Sequence, residues 1–106
     1  MVYFYQRKKH RYGGYKKMKA VITVVGYDAV GILAKVAAVC ADNHANIIDV
    51  TQSVMKEMFT MVMLVDITTL RDDFATMQGE LYALGERIGM KIHVMHEEIF
   101  ESMHHI

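Results

Sequence analysis

Tyr27-Asp28-Ala29-Val30-Gly31-Ile32 is the stretch of this 106-residue chain whose residue types and spacing best suit ligand chemistry. It separates a β-branched run from an amphipathic one, so it leads into the first turn of a helix. The first N–H groups of a helix have no partner inside it and carry the positive end of its dipole. Those around Val30, Gly31 and Ile32 can therefore receive a carboxylate. Gly31 has no side chain, which lets a ligand or a neighbouring backbone come close. A plain tight turn accounts for that glycine equally well.

Other chemistry finds less support. His93 and His96 have the H-x-x-H spacing of a helical metal site, but on a strand the two rings point to opposite faces. His104-His105 would add ligands only from a tail that folds back. The histidines are therefore read as structural or solvated, and no metal site or cofactor is expected. Cys40, the single cysteine, lies among Val36, Ala37, Ala38, Val39 and Ala41 and reads as a small buried hydrophobe. No Ser/His/Asp, Cys/His or paired-carboxylate arrangement is apparent, so no catalytic residue is named and an enzyme is not expected.

The elements that must position the loop follow from periodicity. Ala20 to Gly26 is apolar on both faces, as a central strand requires. From Gly31 to about Asn43, Ile32, Leu33, Val36, Val39 and Cys40 recur at helical spacing, with Lys35, Asp42 and Asn43 toward water. Asp28 is placed to cap this helix or the turn that leads into it, and His44-Ala45-Asn46 ends it. Ile47 to Met55 alternates, with Ile48, Val50 and Val54 on one side. Lys56-Glu57 then makes a tight hairpin to an apolar strand over Met58 to Asp66. Asp72 or Asp73 caps a second helix, in which Phe74, Met77, Leu81, Leu84 and Ile88 form the apolar stripe and Gly89 is the stop. Met90 to Glu97 is the last strand, and the tail from Glu98 to Ile106 extends it or frays.

Strand, helix, strand, strand, helix, strand with right-handed crossovers gives an α+β, ferredoxin-like βαββαβ fold. Its four-stranded antiparallel sheet carries two helices on one face. The other face has no cover, and Met55, Met58, Met61 and Met63 are its candidate apolar residues. Dimerisation through that face or by pairing sheet edges would bury it. Several functions found on this fold are not supported. The first strand–helix loop has no Cys-x-x-Cys for a soft metal and no Arg for a phosphate. Met58 to Leu64 has one aromatic and no basic residue, unlike an RNA-binding strand.

Charge divides the chain. Residues 1–17 hold six Lys/Arg and no acid, while the remainder holds six Lys/Arg against twelve Asp/Glu, a formal balance of −6. A folded part of that sign is a poor nucleic-acid binder. Residues 1–17 lack periodicity and read as a disordered basic leader, and residues 18–106 as the domain. Gly13 to Met18 can be encoded as GGA-GGT-TAT-AAA-AAA-ATG, a ribosome-binding site, a spacer and a start codon. The expectation is a leader translated upstream of a natural start at Met18. No apolar run is long enough to span a membrane and no signal peptide is apparent, so a cytoplasmic protein without a membrane partner is expected.

Val24-Val25-Gly26-Tyr27-Asp28-Ala29-Val30-Gly31-Ile32-Leu33, followed by Asn46-Ile47-Ile48-Asp49, resembles the ACT-domain pattern of strand, D-x-P-G-[IL]-[IL], helix, G-x-N-I, strand. It most resembles the short stand-alone bacterial ACT proteins of the UPF0237 group, relatives of the ACT repeats in the glycine-cleavage regulator. Val30 stands where the pattern has proline, and His44 and Ala45 occupy the place of its glycine. The resemblance implies a regulatory homodimer with an amino acid or similar small molecule at the subunit interface. It assigns the ligand contacts to Asp28, Val30, Gly31 and Ile32 of the loop and to Asn46 and Ile47 at the next strand. Asp28 would accept from the ammonium, Gly31 and Ile32 would hold the carboxylate, and Asn46 of the same or the partner chain would bridge both. The alternative is an unliganded interaction module that docks a partner protein through the exposed sheet face or edge.

Overall fold

The computed structural model describes residues 17–27 and 30–103. Its elements are β1 (Lys19–Gly26), α1 (Ile32–Asp42), β2 (Asn46–Met55), β3 (Met58–Asp66), α2 (Phe74–Ile88), β4 (Lys91–His96) and α3 (Glu97–Met103). The strands form one antiparallel sheet in the order β2-β3-β1-β4. This is the βαββαβ ferredoxin-like architecture with a short third helix appended. The two strands without polar alternation, β1 and β3, take the centre, where both of their edges are paired.

The core lies between the sheet and the pair α1 and α2. Ile22, Val24, Met61, Met63 and Val65 rise from the sheet to meet Val36 and Cys40 of α1 and Met77 and Leu81 of α2, all fully buried. This corrects the expectation for the methionines. Met61 pairs with Val24 and Met63 with Ile22, which puts both under the helices rather than on the open face. Strand side chains alternate strictly, so the register alone decides which face a continuous apolar run sends to the core. Met55 and Met58 remain exposed, paired with each other at the tip of the hairpin. The open face carries Val21, Thr23, Val25, Thr60, Val62 and Leu64. All are half-buried apart from Val21, which is 3% exposed.

Helix ends follow local chemistry. Asp73, rather than Asp72, caps α2: its Oδ1 accepts from the Thr76 N–H at 2.9 Å and the Thr76 hydroxyl at 2.6 Å. Gly89 closes that helix at φ 72°. The N-cap of α1 is Gly31, also at φ 72° and with no side-chain cap; Asp28 lies outside the described residues. Asn43, expected toward water, is 1% exposed and turns inward, because its Nδ2 donates to Val39 O at 2.9 Å and to Glu80 Oε1 at 2.8 Å across to α2.

The tail is a second correction. Glu97 to Met103 neither extends β4 nor stays irregular, but forms α3. Two acids in its first turn suit the positive end of a helix dipole, and Glu97 Oε1 lies 3.7 Å from Lys19 Nζ on β1.

Candidate functional site

The loop residues gather at the N-terminal end of α1. Val30 is 83% exposed, Gly31 is exposed, and Ile32 sends its side chain into the core while its backbone belongs to the first helical turn. The cap is a glycine and the first turn holds no acidic residue, so among the described residues of the turn no acid offsets the positive end of the dipole. Lys35 adds to it: its N–H donates to Gly31 O at 3.0 Å, and its Nζ lies 3.1 Å from where a Cβ on Gly31 would stand. Lys35 is exposed, as its place on the helix predicts, and stands four residues from Gly31, one helical turn away. A side chain on Gly31 would strain the backbone and crowd that ammonium.

Asn46 and Ile47 stand at the other end of the same helix. They line a surface hollow of about 560 Å³ together with Ala37, Ala41, His44, Ala45 and Thr69. Eleven residues of α1 separate this hollow from the Gly31 turn, about 16 Å at 1.5 Å rise per residue. A single chain therefore does not bring the loop and Asn46 together. The site residues fall into two groups, one at each end of α1.

The Asn46 end is rich in polar contacts. The Asn43 backbone carbonyl accepts from the Arg71 N–H at 2.9 Å, tying the end of α1 to the segment before α2. Asp66, at the end of β3 and 5% exposed, pairs with Lys17 and accepts from the Thr68 N–H at 2.9 Å. Burial pushes the Asp66 carboxyl up, but the Lys17 hydrogen bond, the Thr68 bonds and the Lys17 charge outweigh it and hold it below the ordinary 3.8. Met18 completes the group: its N–H donates to the Thr68 hydroxyl at 2.9 Å and its carbonyl accepts from Ile67 N–H at 2.9 Å. Lys17 thus belongs to a paired site, while residues 1–16 lie outside the described residues.

The remaining candidates take no part in either group. Burial pushes the Cys40 thiol from 9.0 up to about 11, so it is held protonated in the core. His93 pairs across to Thr23 on the open face, whereas His96 pairs with Ala20 and stacks on Phe74 with ring centroids 4.3 Å apart. The two rings thus diverge, as strand geometry requires. Among the described residues no three His, Cys, Asp or Glu side chains converge on a point that could hold a metal. No described helix is long and apolar enough to cross a membrane.

Comparison with known proteins agrees with this architecture. The sequence profile of the ACT domain matches residues 19–95. A UPF0237 protein of Methanococcus maripaludis is 52% identical over 86 residues, which cover 81% of this chain and 96% of that protein. Among solved structures, an ACT domain protein from Streptococcus pneumoniae superposes with a TM-score of 0.70 at 40% identity, covering 81% of this chain and 97% of that one. A putative glycine cleavage system transcriptional repressor superposes with a TM-score of 0.62 at 25% identity, over 77% of this chain and 47% of its own. The chain belongs to the ACT-domain family of regulatory modules, and within it to the UPF0237 proteins.

Proposed function

We propose that this ACT domain is a cytoplasmic, non-catalytic regulator that works as a homodimer and senses an amino acid or similar small metabolite at the subunit interface. The observation that carries this reading is the division of the site between the two ends of α1. A second copy is the simplest way to reunite the halves.

The sheet edges favour one arrangement. The β4 edge is partly covered: Gln78 Nε2 of α2 donates to Val94 O at 2.7 Å, and Gly85 lets that helix approach the Met90 carbonyl just before β4. The β2 edge is ten residues long and exposed or half-buried throughout. Two copies of β2 paired antiparallel would bring the Ile47 end of one strand beside the Val54 end of the other. Both are exposed, and both stand on the helix side of the sheet, opposite Val65 and Phe59 of β3. The same two-fold operation carries the Val30-Gly31-Ile32 turn of one subunit toward Asn46 of the other. There the Gly31 and Ile32 N–H groups would hold the ligand carboxylate, with Lys35 beside them. Asp28 would accept from its ammonium, Asn46 would bridge, and Val30 and Ile47 would flank it.

Thermal shift against the twenty amino acids at millimolar concentration, with sedimentation to read the oligomeric state, tests this. Stabilisation by one or a few of them is expected, on a dimer, and it should be lost in Gly31→Val and Asn46→Ala. A monomer, or no stabilisation by any, counts against sensing.

A second reading draws on the exposed Tyr27, Val30, Leu33, Val54, Met55 and Met58, which surround the loop end of the molecule. On that reading the domain docks a protein partner without a ligand. Such docking should survive Gly31→Val and Asn46→Ala and fail in Met55→Glu.

A further inference from the structure

The helices α1 and α2 end in the same left-handed geometry with different residues. At α2 the residue is Gly89 with φ 72°; at α1 it is His44 with φ 63°. The His44 N–H donates to Ala41 O at 3.1 Å and the Ala45 N–H to Cys40 O at 2.9 Å, the paired bonds of a Schellman turn. Glycine is the usual occupant of that position because a Cβ there crowds the backbone. A glycine at 44 would adopt this turn with less strain, so the imidazole sits here at a cost in backbone conformation.

Its surroundings indicate a use. His44 is exposed and shares the 560 Å³ hollow with Asn46 and Thr69. Three alanines, Ala37, Ala41 and Ala45, leave the space beside them unfilled. An imidazole, an amide and a hydroxyl therefore line a small-walled recess of a size that suits a small metabolite.

We propose that His44, with Thr69, sets the specificity of this site by hydrogen-bonding the polar side-chain group of the bound amino acid. This rests on the interface site described above, in which the partner's loop holds the ligand's backbone ends and Asn46 bridges them. The side chain then projects into the hollow, where a hydroxyl, amide or carboxylate meets partners and an aliphatic group leaves the imidazole and hydroxyl unpaired. A wall of hydrogen-bonding groups discriminates more steeply than an apolar pocket, because closure over the wrong ligand strands its polar atoms.

The test uses ligands of matched shape. Binding of L-threonine against L-valine, and of L-glutamine against L-methionine, is measured by calorimetry on the full chain and on His44→Gly, His44→Asn and Thr69→Val. A preference of about tenfold or more for the polar member of at least one pair is expected in the unaltered chain. His44→Gly should raise the melting temperature without ligand and erase most of that preference. His44→Asn, which tolerates the left-handed turn and keeps hydrogen-bonding atoms, should retain part of it, and Thr69→Val should weaken it. If His44→Gly stabilises the fold and leaves the preference intact, His44 is only a tolerated residue; the proposal then falls while the interface site stands. The proposal falls equally if the apolar members bind as well, or if His44→Gly fails to raise the melting temperature. If no amino acid binds the unaltered chain, the site and the proposal fall together.

Discussion

The two ends of this domain are built on different principles. Where α1 finishes, buried or partly buried polar groups are joined: Asn43 to Val39, Glu80 and Arg71, and Asp66 to Lys17 and Thr68. Where α1 begins, the contacts are steric and apolar. The Met90 side chain lies over Gly26, Gly85 packs against the Met90 carbonyl and Ile92, and Tyr27, Val30, Val54 and Met55 extend into solvent. Satisfied polar networks fix one arrangement of the chain, because every broken bond leaves a buried group stranded. Apolar surface left open fixes nothing until something covers it. The contrast suggests a pinned end and a receiving end, and in the proposed two-fold dimer each receiving end would face the pinned end of the partner.

The strongest test of the pinned end is Asn43→Asp. A carboxylate would replace a buried amide that donates to Glu80 Oε1, setting two acids against each other. A loss of about 3 kcal/mol at neutral pH is expected in urea unfolding, shrinking as the introduced carboxyl takes up a proton in acid. A loss below about 1 kcal/mol would break the comparison, since this end would then not depend on its polar bonds. Asn43 Oδ1 has no partner among the described atoms, so this network already carries one unpaired acceptor.

At the receiving end the expected losses are smaller and set by sterics. A Cβ on Gly85 would stand 2.8 Å from the Met90 carbonyl, a backbone atom that cannot move alone. Gly85→Ala should lower stability by about 2 kcal/mol. On Gly26 the Cβ would meet Met90 Sδ at 2.1 Å, but that side chain is flexible and can swing away, so Gly26→Ala should cost about 1 kcal/mol. Thermal unfolding of the two variants checks the order. A larger loss at Gly26 would mean that Met90 is held as rigidly as the backbone.

Asp66 gives the smallest effect and a pH signature. Its folded-state pKa lies below the unfolded one, so the stability it contributes is present above the ordinary carboxylate value of 3.8 and is lost as pH falls through the folded value. Asp66→Asn should cost about 1 kcal/mol at neutral pH and flatten the acid limb of the stability profile. Parallel profiles for the two proteins below pH of about 4 would show that Asp66 titrates alike in both states.

Much of this architecture was legible in the residues. The even apolarity of β1 marks a central strand, that of β3 marks a strand, the 3.6-residue stripe from Phe74 to Ile88 marks α2, and an aspartate at 72 or 73 and Gly89 mark its ends. These are local properties, decided by propensity and period within a few residues. Three others were not local. Met61 and Met63 belong to a run apolar at nearly every position, which carries little facing signal, and pairing with Val24 and Ile22 made them core. Asn43 reads as a polar residue at a helix end until α2 brings Glu80 within hydrogen-bonding reach. The segment after His96 lacks a clear period over its seven helical residues, too few to form a stable helix unsupported, and α3 forms where it packs near β1.

The site divides in the same way. The amino-acid order determined by itself that a glycine would open α1, and that the next strand would begin at Ile47, just after Asn46. Only the tertiary structure decided that these two features stand at opposite ends of one helix, about 16 Å apart. Likewise, only the fold gave His44 a left-handed turn beside Asn46 and Thr69. Spacing along a chain sets which helix two residues flank, but the rise of that helix sets how far apart they lie. It is this distance that keeps Gly31 and Asn46 apart within one chain.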